Sequence, residues 1–193
     1  INTTIASIES SDWLSSIFEF TPLFQGTPEV SFKVWESEYS FEWSRAVAIS
    51  GAAIKFKLLH EIPNYSKNIT NDYIPLSDGG HSENLGAIAL IRRGVKNIII
   101  LDAGYNHEYS FDAYKNLKQK LKQEMNLTLA IDGIDSFIER KDSIPEHSVY
   151  KGSVKSVSLI KNDKVETFDI NIYYVKMSLS QDIKTLLSQD SFE

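Results

Sequence analysis

The chain of 193 residues has a formal net charge of −6 and is 42% hydrophobic and 24% charged, which is typical of a globular protein. It contains no cysteine, so a disulfide framework, a thiolate metal site and a cysteine nucleophile are excluded. Its 20 basic residues against 26 acidic ones cannot provide a broad surface for phosphates, so we expect no nucleic-acid partner. No stretch approaches the roughly 20 apolar residues of a membrane span.

Aromatic residues recur at the start of the chain, where Pro22, Gly26 and Pro28 interrupt any long helix. The pattern predicts short strands and loops with an aromatic core, and an acyl-chain groove is the alternative. Further on, the apolar run Arg45–Ser50 predicts another strand, and Ala52–Leu59 predicts a helix.

The middle of the chain alternates between strand and helix signals. Tyr73–Ser77 predicts a strand, and its proline places it near a sheet edge or at a bulge. A helix should begin at Ser82 or Glu83 and end at Arg93. Gly94 is its expected C-terminal cap.

The clearest strand is Asn97–Asp102, which contains four consecutive apolar residues. Such a run is typical of a strand that is buried on both faces of a parallel sheet. Together with the preceding strand and helix, it predicts a βαβ crossover over residues 73–102.

An amphipathic helix is predicted at Phe111–Met125, with Ser110 as its N-cap. Four lysines lie mostly away from its apolar stripe: Lys115, Lys118, Lys120 and Lys122. We interpret this lysine face as solvated, with contact to anionic lipid as the alternative.

The remainder of the chain is rich in strand signals. Strands are predicted at Leu127–Ile131, Val154–Lys161 and Phe168–Met177, with Asn162-Asp163 as a hairpin turn. The final segment, Ser180–Glu193, is polar and predicts a short helix or a frayed end.

The strongest candidate for chemistry is the turn Asp78-Gly79-Gly80, which joins the carboxyl end of a strand to a helix. Functional sites in open α/β sheets gather at this end of the strands. Two glycines permit a sharp turn with bare backbone N–H groups, so Asp78 could serve as a general base on a rigid element. A tight turn with a capping aspartate is the alternative.

Two other kinds of site, a metal site and a serine nucleophile elbow, do not match this segment. Asp78, His81 and Glu83 fit no standard zinc spacing, so we expect no metal, and no phosphate-binding motif suggests a cofactor. The segment Gly80-His81-Ser82-Glu83-Asn84 resembles a Gly-x-Ser-x-Gly nucleophile elbow, but Asn84 replaces the second glycine. The residues therefore provide a candidate base without a nucleophile.

The stretch Leu76–Asn116 resembles the carboxyl half of the patatin-like phospholipases, particularly the bacterial branch that is similar to cytosolic phospholipase A2. Its most specific features are the Asp-Gly-Gly turn, Glu83-Asn84-Leu85-Gly86, Arg92-Arg93 and the strand that ends in Asp102-Ala103. Further segments that resemble this branch, in the same order, are Ile1–Thr4, Phe18–Leu23, Ala48–Ala53 and the closing hairpin with Tyr174, Lys176, Ser178 and Leu179.

This resemblance implies an α/β fold, with a phospholipase A2-type sheet, flanking helices and a C-terminal β-hairpin. Residues 1–193 would form the C-terminal portion of a single acyl hydrolase domain. Family members use a Ser–Asp dyad, and the dyad aspartate corresponds to Asp78. Gly79 and Gly80 match the motif glycines, and Asn84 matches a structural position expected to bond backbone near the turn. The elbow serine and the oxyanion loop have no counterpart, so the resemblance places them upstream, before Ile1.

The expected function is therefore part of a phospholipase A-type acyl-ester hydrolase, inactive until an upstream segment supplies its serine. The expected partners are a phospholipid or another acyl ester, a membrane surface and that upstream segment. The expected location is cytoplasmic or peripheral to a membrane. A non-catalytic lipid-binding or interaction module on the same scaffold is the alternative.

Two further features have two interpretations each. Arg92 and Arg93 could contact a lipid phosphate. Alternatively they are structural, because the helix dipole favours cations at the C-terminal end of any helix. Asp102 could be a second acid at the same sheet edge as Asp78, or it could cap the turn that follows.

Overall fold

The computed structural model describes residues 1–5, 16–28, 30–34, 43–51, 60–65, 72–105, 108–140, 144–161, 163–178 and 180–189. The chain divides into two compact units, Ile1–Ala89 and Leu90–Glu193. Both units combine a β-sheet with helices, so the predicted mixed α/β class is confirmed. The helix predicted at Ala52–Leu59 lies outside the described residues.

The first unit contains a six-stranded sheet in the order β4-β3-β2-β1-β6-β5, and each neighbouring pair is antiparallel. Its elements are β1 (Asn2–Ile5), β2 (Ile17–Phe20), β3 (Phe24–Thr27), β4 (Ser31–Val34), α1 (Trp43–Ser50), β5 (His60–Pro63) and β6 (Tyr73–Asp78).

The core of this unit is apolar and aromatic, as predicted. Phe18 and Phe20 are fully buried, with ring centroids 5.1 Å apart. The strand predicted over residues 45–50 is wrong, because this segment forms helix α1. Ala46 and Ile49, three residues apart, pack into the core while Val47 is exposed, which is helical rather than strand periodicity.

Helix α2 (Ala87–Arg92) joins the two units in the chain. The second unit contains a four-stranded sheet in the order β7-β10-β9-β8, in which β7 and β10 are parallel. Its elements are β7 (Asn97–Asp102), α3 (Asp112–Met125), β8 (Leu129–Ala130), α4 (Asp132–Arg140), β9 (Val149–Lys161), β10 (Lys164–Lys176) and α5 (Gln181–Gln189).

The predicted βαβ crossover over residues 73–102 is wrong. Its two strands exist, but β6 belongs to the first sheet and β7 to the second. The parallel partner of β7 is β10, where Tyr174 lies beside Ile100 and Lys176 beside Asp102. Asp78 and Asp102 therefore do not share a sheet edge.

Strand β7 also differs from its prediction in burial. Ile98 and Ile100 are buried, whereas Ile99 and Leu101 are exposed, so the strand is covered on one face only. A run of consecutive apolar residues therefore conceals an ordinary alternation of inward and outward side chains.

Helix α3 has the predicted amphipathic character, and it buries Tyr114, Leu117 and Leu121. The prediction of Ser110 as its N-cap is wrong. Phe111 occupies that position with φ of 53° and no capping side chain, and its ring is fully buried. Burying this ring against Tyr174, 6.2 Å away between centroids, offers a physical reason for the unusual backbone.

The closing hairpin is confirmed. Lys161 of β9 pairs with Lys164 of β10, and Asp163 between them has φ of 60°, while Asn162 lies outside the described residues. The predicted cap at Gly94 is also confirmed: it has φ of 68°, and its N–H donates to the Ile91 carbonyl at 2.9 Å.

Candidate functional site

Asp78 is the last residue of β6 and caps a short 3-10 turn over Gly79–His81. The Gly80 N–H donates to Asp78 Oδ1 at 2.6 Å, and the residue is half-buried. Among the described residues, no hydrogen bond reaches the other carboxylate oxygen, Oδ2. Asp78 is thus anchored through Oδ1, and no described residue binds its Oδ2.

Close packing against backbone requires the first glycine of this turn, whereas the second is crowded by side-chain atoms alone. A Cβ on Gly79 would lie 2.5 Å from the Asn2 carbonyl oxygen of β1, which is backbone and cannot easily move. A Cβ on Gly80 would lie 2.7 Å from Asn84 Oδ1 and 2.9 Å from Asp78 Oδ1. Gly79 therefore packs tightly against the backbone of β1, and Gly80 packs against the side chains of Asp78 and Asn84.

Two buried hydroxyl groups support the turn from below. Thr4 Oγ1 donates to the Asp78 carbonyl at 2.7 Å, and it lies 2.6 Å from Ser82 Oγ. Because the single Thr4 proton points to the carbonyl, Ser82 donates to Thr4. Ser82 is buried and engaged in this network. The role of Thr4 has no sequence signal, because the strands that bring it here are distant in the chain.

Glu83 is the residue whose role the sequence failed to predict. Its side chain is buried, and its carboxylate accepts hydrogen bonds from the backbone N–H groups of Leu85, Ala87 and Ile88 at 2.5, 2.7 and 3.3 Å. A carboxylate at a helix N-terminus is stabilised by these bare donors and by the helix dipole. The predicted helix start at residues 82–83 is therefore wrong, since α2 begins at Ala87 and Glu83 caps it. A glutamate four residues before an apolar run was the available signal.

Asn84 is exposed, and its Oδ1 faces Gly80. Its side-chain amide makes no hydrogen bond within the described ranges. The expected bond from Asn84 to backbone near the turn stays a prediction.

The carboxylates and the imidazole of this segment point to separate partners. His81 Nδ1 lies 3.2 Å from Ser77 Oγ, and Glu83 is fully used as a helix cap. In the part of the chain that the structure describes, no group of three histidine or acidic residues could hold a metal ion.

Asp102 ends β7 with the same local turn but in a different environment. The Gly104 N–H donates to Oδ1 at 2.9 Å, so the predicted cap is confirmed. Its Oδ2 accepts from Tyr174 Oη at 2.5 Å and lies 3.0 Å from Lys176 Nζ. Lys176 also donates to the Gly104 carbonyl at 2.7 Å, and both charged residues are 3% exposed. Asp102 therefore belongs to a closed, buried cluster.

The cations considered for lipid contact have partners within the second unit. Arg92 Nη2 donates to Glu124 Oε2 at 2.9 Å, and burial lowers the pKa of Arg93. Lys118 pairs with Asp135 at 2.7 Å, and Lys120 Nζ lies 3.7 Å from Glu124 Oε1. These contacts favour a structural role for both cationic groups.

None of the helices in the described ranges has the length and apolar character needed to cross a bilayer. Comparison with family models, with curated proteins and with solved structures found no match for this chain.

Proposed function

We propose that the chain is the C-terminal part of a patatin-like, phospholipase A-type acyl hydrolase, in which Asp78 is the base of a Ser–Asp dyad. The proposal rests on the resemblance carried by Leu76–Asn116 and on one structural observation. Asp78 is fixed through Oδ1 by the Gly80 N–H, while Oδ2 has no partner among the described residues. Such a carboxylate is oriented and still able to take a proton.

The proposed reaction needs a serine from a segment outside these 193 residues. Its hydroxyl oxygen attacks the ester carbonyl carbon of a lipid, and its proton passes to Asp78 Oδ2. The tetrahedral intermediate collapses, and the leaving alcohol takes that proton from Asp78. Water then attacks the acyl-serine and gives a proton to Asp78, which returns it to the serine as the fatty acid leaves.

The substrate class under this proposal is a phospholipid or another long-chain acyl ester, encountered at a membrane surface. No metal or cofactor is needed, because the carboxylate supplies the base and backbone donors of the missing part would stabilise the oxyanion.

The test joins the chain to a segment that carries the proposed serine and measures fatty-acid release from phosphatidylcholine vesicles. We expect Asp78→Asn to lower the rate by about 10² to 10⁴-fold, the range for loss of a general base. The matched control is Asp163→Asn, at an exposed hairpin position with φ of 60° where asparagine is equally well tolerated. Full hydrolysis by the Asp78→Asn protein would refute the assignment.

The alternative is a non-catalytic lipid-binding or interaction module. The absence of a Gly-x-Ser-x-Gly elbow from all 193 residues favours it. Binding of the joined protein to the same vesicles, without fatty-acid release by the unsubstituted protein, would support this alternative.

A further inference from the structure

The sheet of the second unit has one covered face and one open face. On the covered face, Tyr174 packs against Phe111 and against Tyr114 of helix α3, with centroid distances of 6.2 and 6.0 Å. Because side chains alternate along a strand, the neighbours of Tyr174 in β10, Tyr173 and Val175, point to the opposite face.

The open face is apolar at the carboxyl end of the parallel strands and polar at the other end. In one row across three strands, Val175 lies beside Leu101 of β7 and Val149 of β9. In the next row, Tyr173 lies beside Ile99 and Lys151.

A third row, Asn171 with Asn97 and Ser153, is polar, and the two asparagines bond to each other at 2.9 Å. Met177 continues β10 at the apolar end, and its N–H donates to the Asp102 carbonyl at 2.9 Å. We name as the open patch the six apolar side chains Ile99, Leu101, Val149, Tyr173, Val175 and Met177.

Four of the six side chains of the open patch are strongly exposed, and Tyr173 and Val175 are half-buried between them. The exposed fractions are 69% for Ile99, 64% for Leu101, 61% for Val149 and 63% for Met177. These fractions correspond to roughly 500 Å² of exposed apolar surface. This area is near the upper end of the range of areas for the largest apolar patch on a typical monomer. Two such patches packed together would bury about 1,000 Å² in total, the lower limit for a specific interface.

We infer that the open patch is the interface of a reversible dimer of this chain. A sheet face is a flat surface that fits another sheet face at a separation of about 10 Å. The patch is also nearly free of charge, since Lys151 is the only ionised side chain in its rows, and its Nζ lies 5.6 Å from the centre of the Tyr173 ring.

A two-fold axis along β10 gives this dimer a self-complementary arrangement. Strand β9 of each copy then faces β7 of the other, so Lys151 meets Ile99 of the partner subunit rather than a second lysine. The two Val175 side chains meet at the axis, and Val149 meets Leu101 of the partner subunit. None of these residues belongs to the Asp78 turn, so the inference stands independently of the proposed function.

The first test is analytical ultracentrifugation of the full chain, with a dissociation constant in the micromolar range expected for so small an interface. We expect Leu101→Lys to weaken dimerisation at least about tenfold, because the new ammonium group would be buried without a partner. The matched control is Ile160→Lys on the β9–β10 hairpin, outside the open patch, where the isoleucine is 80% exposed. The control should dimerise normally.

A second variant keeps the test valid if Leu101→Lys does not fold. Because the chain has no cysteine, Val175→Cys introduces a single thiol near the axis, which a short bis-maleimide would link to the thiol of the partner subunit. Ile160→Cys should give no linked dimer. The inference would be overturned by a chain that stays monomeric, by equal effects of the two lysine variants, by an open-ended series of larger species, or by equal linking of both cysteine variants.

Discussion

Asp78 in the first unit and Asp102 in the second unit end their strands in nearly the same way. Each accepts the N–H of the glycine two residues further on through Oδ1, at 2.6 and 2.9 Å. They differ at the other oxygen. Tyr174 and Lys176 bind Asp102 Oδ2 in a buried cluster, whereas no described residue bonds to Asp78 Oδ2.

This difference separates a carboxylate bound through both oxygens from one that the described residues bind through a single oxygen. The strand–aspartate–glycine pattern is the same in both places, so the pattern alone cannot distinguish the two roles. The distinction comes from β10. This strand supplies Tyr174 and Lys176 to the Asp102 turn, whereas the Asp78 turn follows a strand of the other sheet.

The largest expected effect comes from opening the buried cluster. Lys176→Met leaves the Asp102 carboxylate without its counter-ion, and removal of one partner from a buried pair costs about 3 to 5 kcal/mol. Hydrogen exchange of the β10 amides measures this loss. Tryptophan fluorescence does not follow this unit, because the three tryptophans lie at residues 13, 35 and 43.

The control for this change is Lys184→Met on the exposed face of α5, which should alter stability by less than about 0.5 kcal/mol. The double variant with Asp102→Asn should regain part of the loss. A Lys176→Met protein as stable as its control would show that the cluster does not hold β7 and β10 together.

A smaller effect is expected in the first turn, which depends on backbone packing rather than charge. Gly79→Ala places a Cβ 2.5 Å from the Asn2 carbonyl oxygen, so β1 and the turn must separate. We expect a loss of about 1 to 3 kcal/mol, typical of overpacking, measured by urea unfolding followed with tryptophan fluorescence.

Gly51→Ala provides the comparison, because its Cβ would lie at 3.7 Å from the Val47 carbonyl oxygen, an ordinary contact. If the two alanine variants unfold at the same urea concentration, the prediction that close packing of Gly79 against β1 stabilises the first unit is contradicted.

The smallest effect is expected at an exposed ion pair, which contrasts with the buried one. His147 Nδ1 lies 2.6 Å from Asp182 Oδ2 at the start of α5, with Glu146 4.0 Å from Nε2. The hydrogen bond to Asp182 raises the pKa of His147 above its ordinary 6.5. The added stability is therefore complete below pH 6.5 and is lost as the pH rises through the raised pKa.

NMR titration of the His147 ring measures this pKa directly, and Asp182→Asn should lower it towards its ordinary value. Because the pair is exposed, salt should have the same effect. A pKa that does not respond to Asp182→Asn would place the cause elsewhere.

Sequence patterns predicted the elements whose signals are local. The three-to-four residue spacing of Tyr114, Leu117 and Leu121 identified α3, and a glycine at position 94 marked the end of α2. The aspartate turn after β6 was also found, because Asp-Gly-Gly is a strong turn signal in itself.

The errors arose where a distant segment decides the outcome. The sequence around β7 does not reveal that its partner is β10. The two strands are far apart in the chain: Tyr174 of β10 and Asp102 of β7 are separated by 72 residues. For the same reason, the support of the Asp78 turn by Thr4, 74 residues away, could not be predicted. The cap formed by Glu83 leaves only a weak signal in the sequence, because glutamate is not a preferred N-cap residue.

The most direct test of the account compares Asp78→Asn with Asp102→Asn in the same chain, using hydrogen exchange of amides in β6 and β10. We predict that Asp78→Asn changes protection by less than about 0.5 kcal/mol, since an amide oxygen can still accept from Gly80. Asp102→Asn should lower protection of β10 by about 3 to 5 kcal/mol, because Lys176 remains buried without its counter-ion. Equal losses in the two variants would contradict the division between an available and a structural carboxylate.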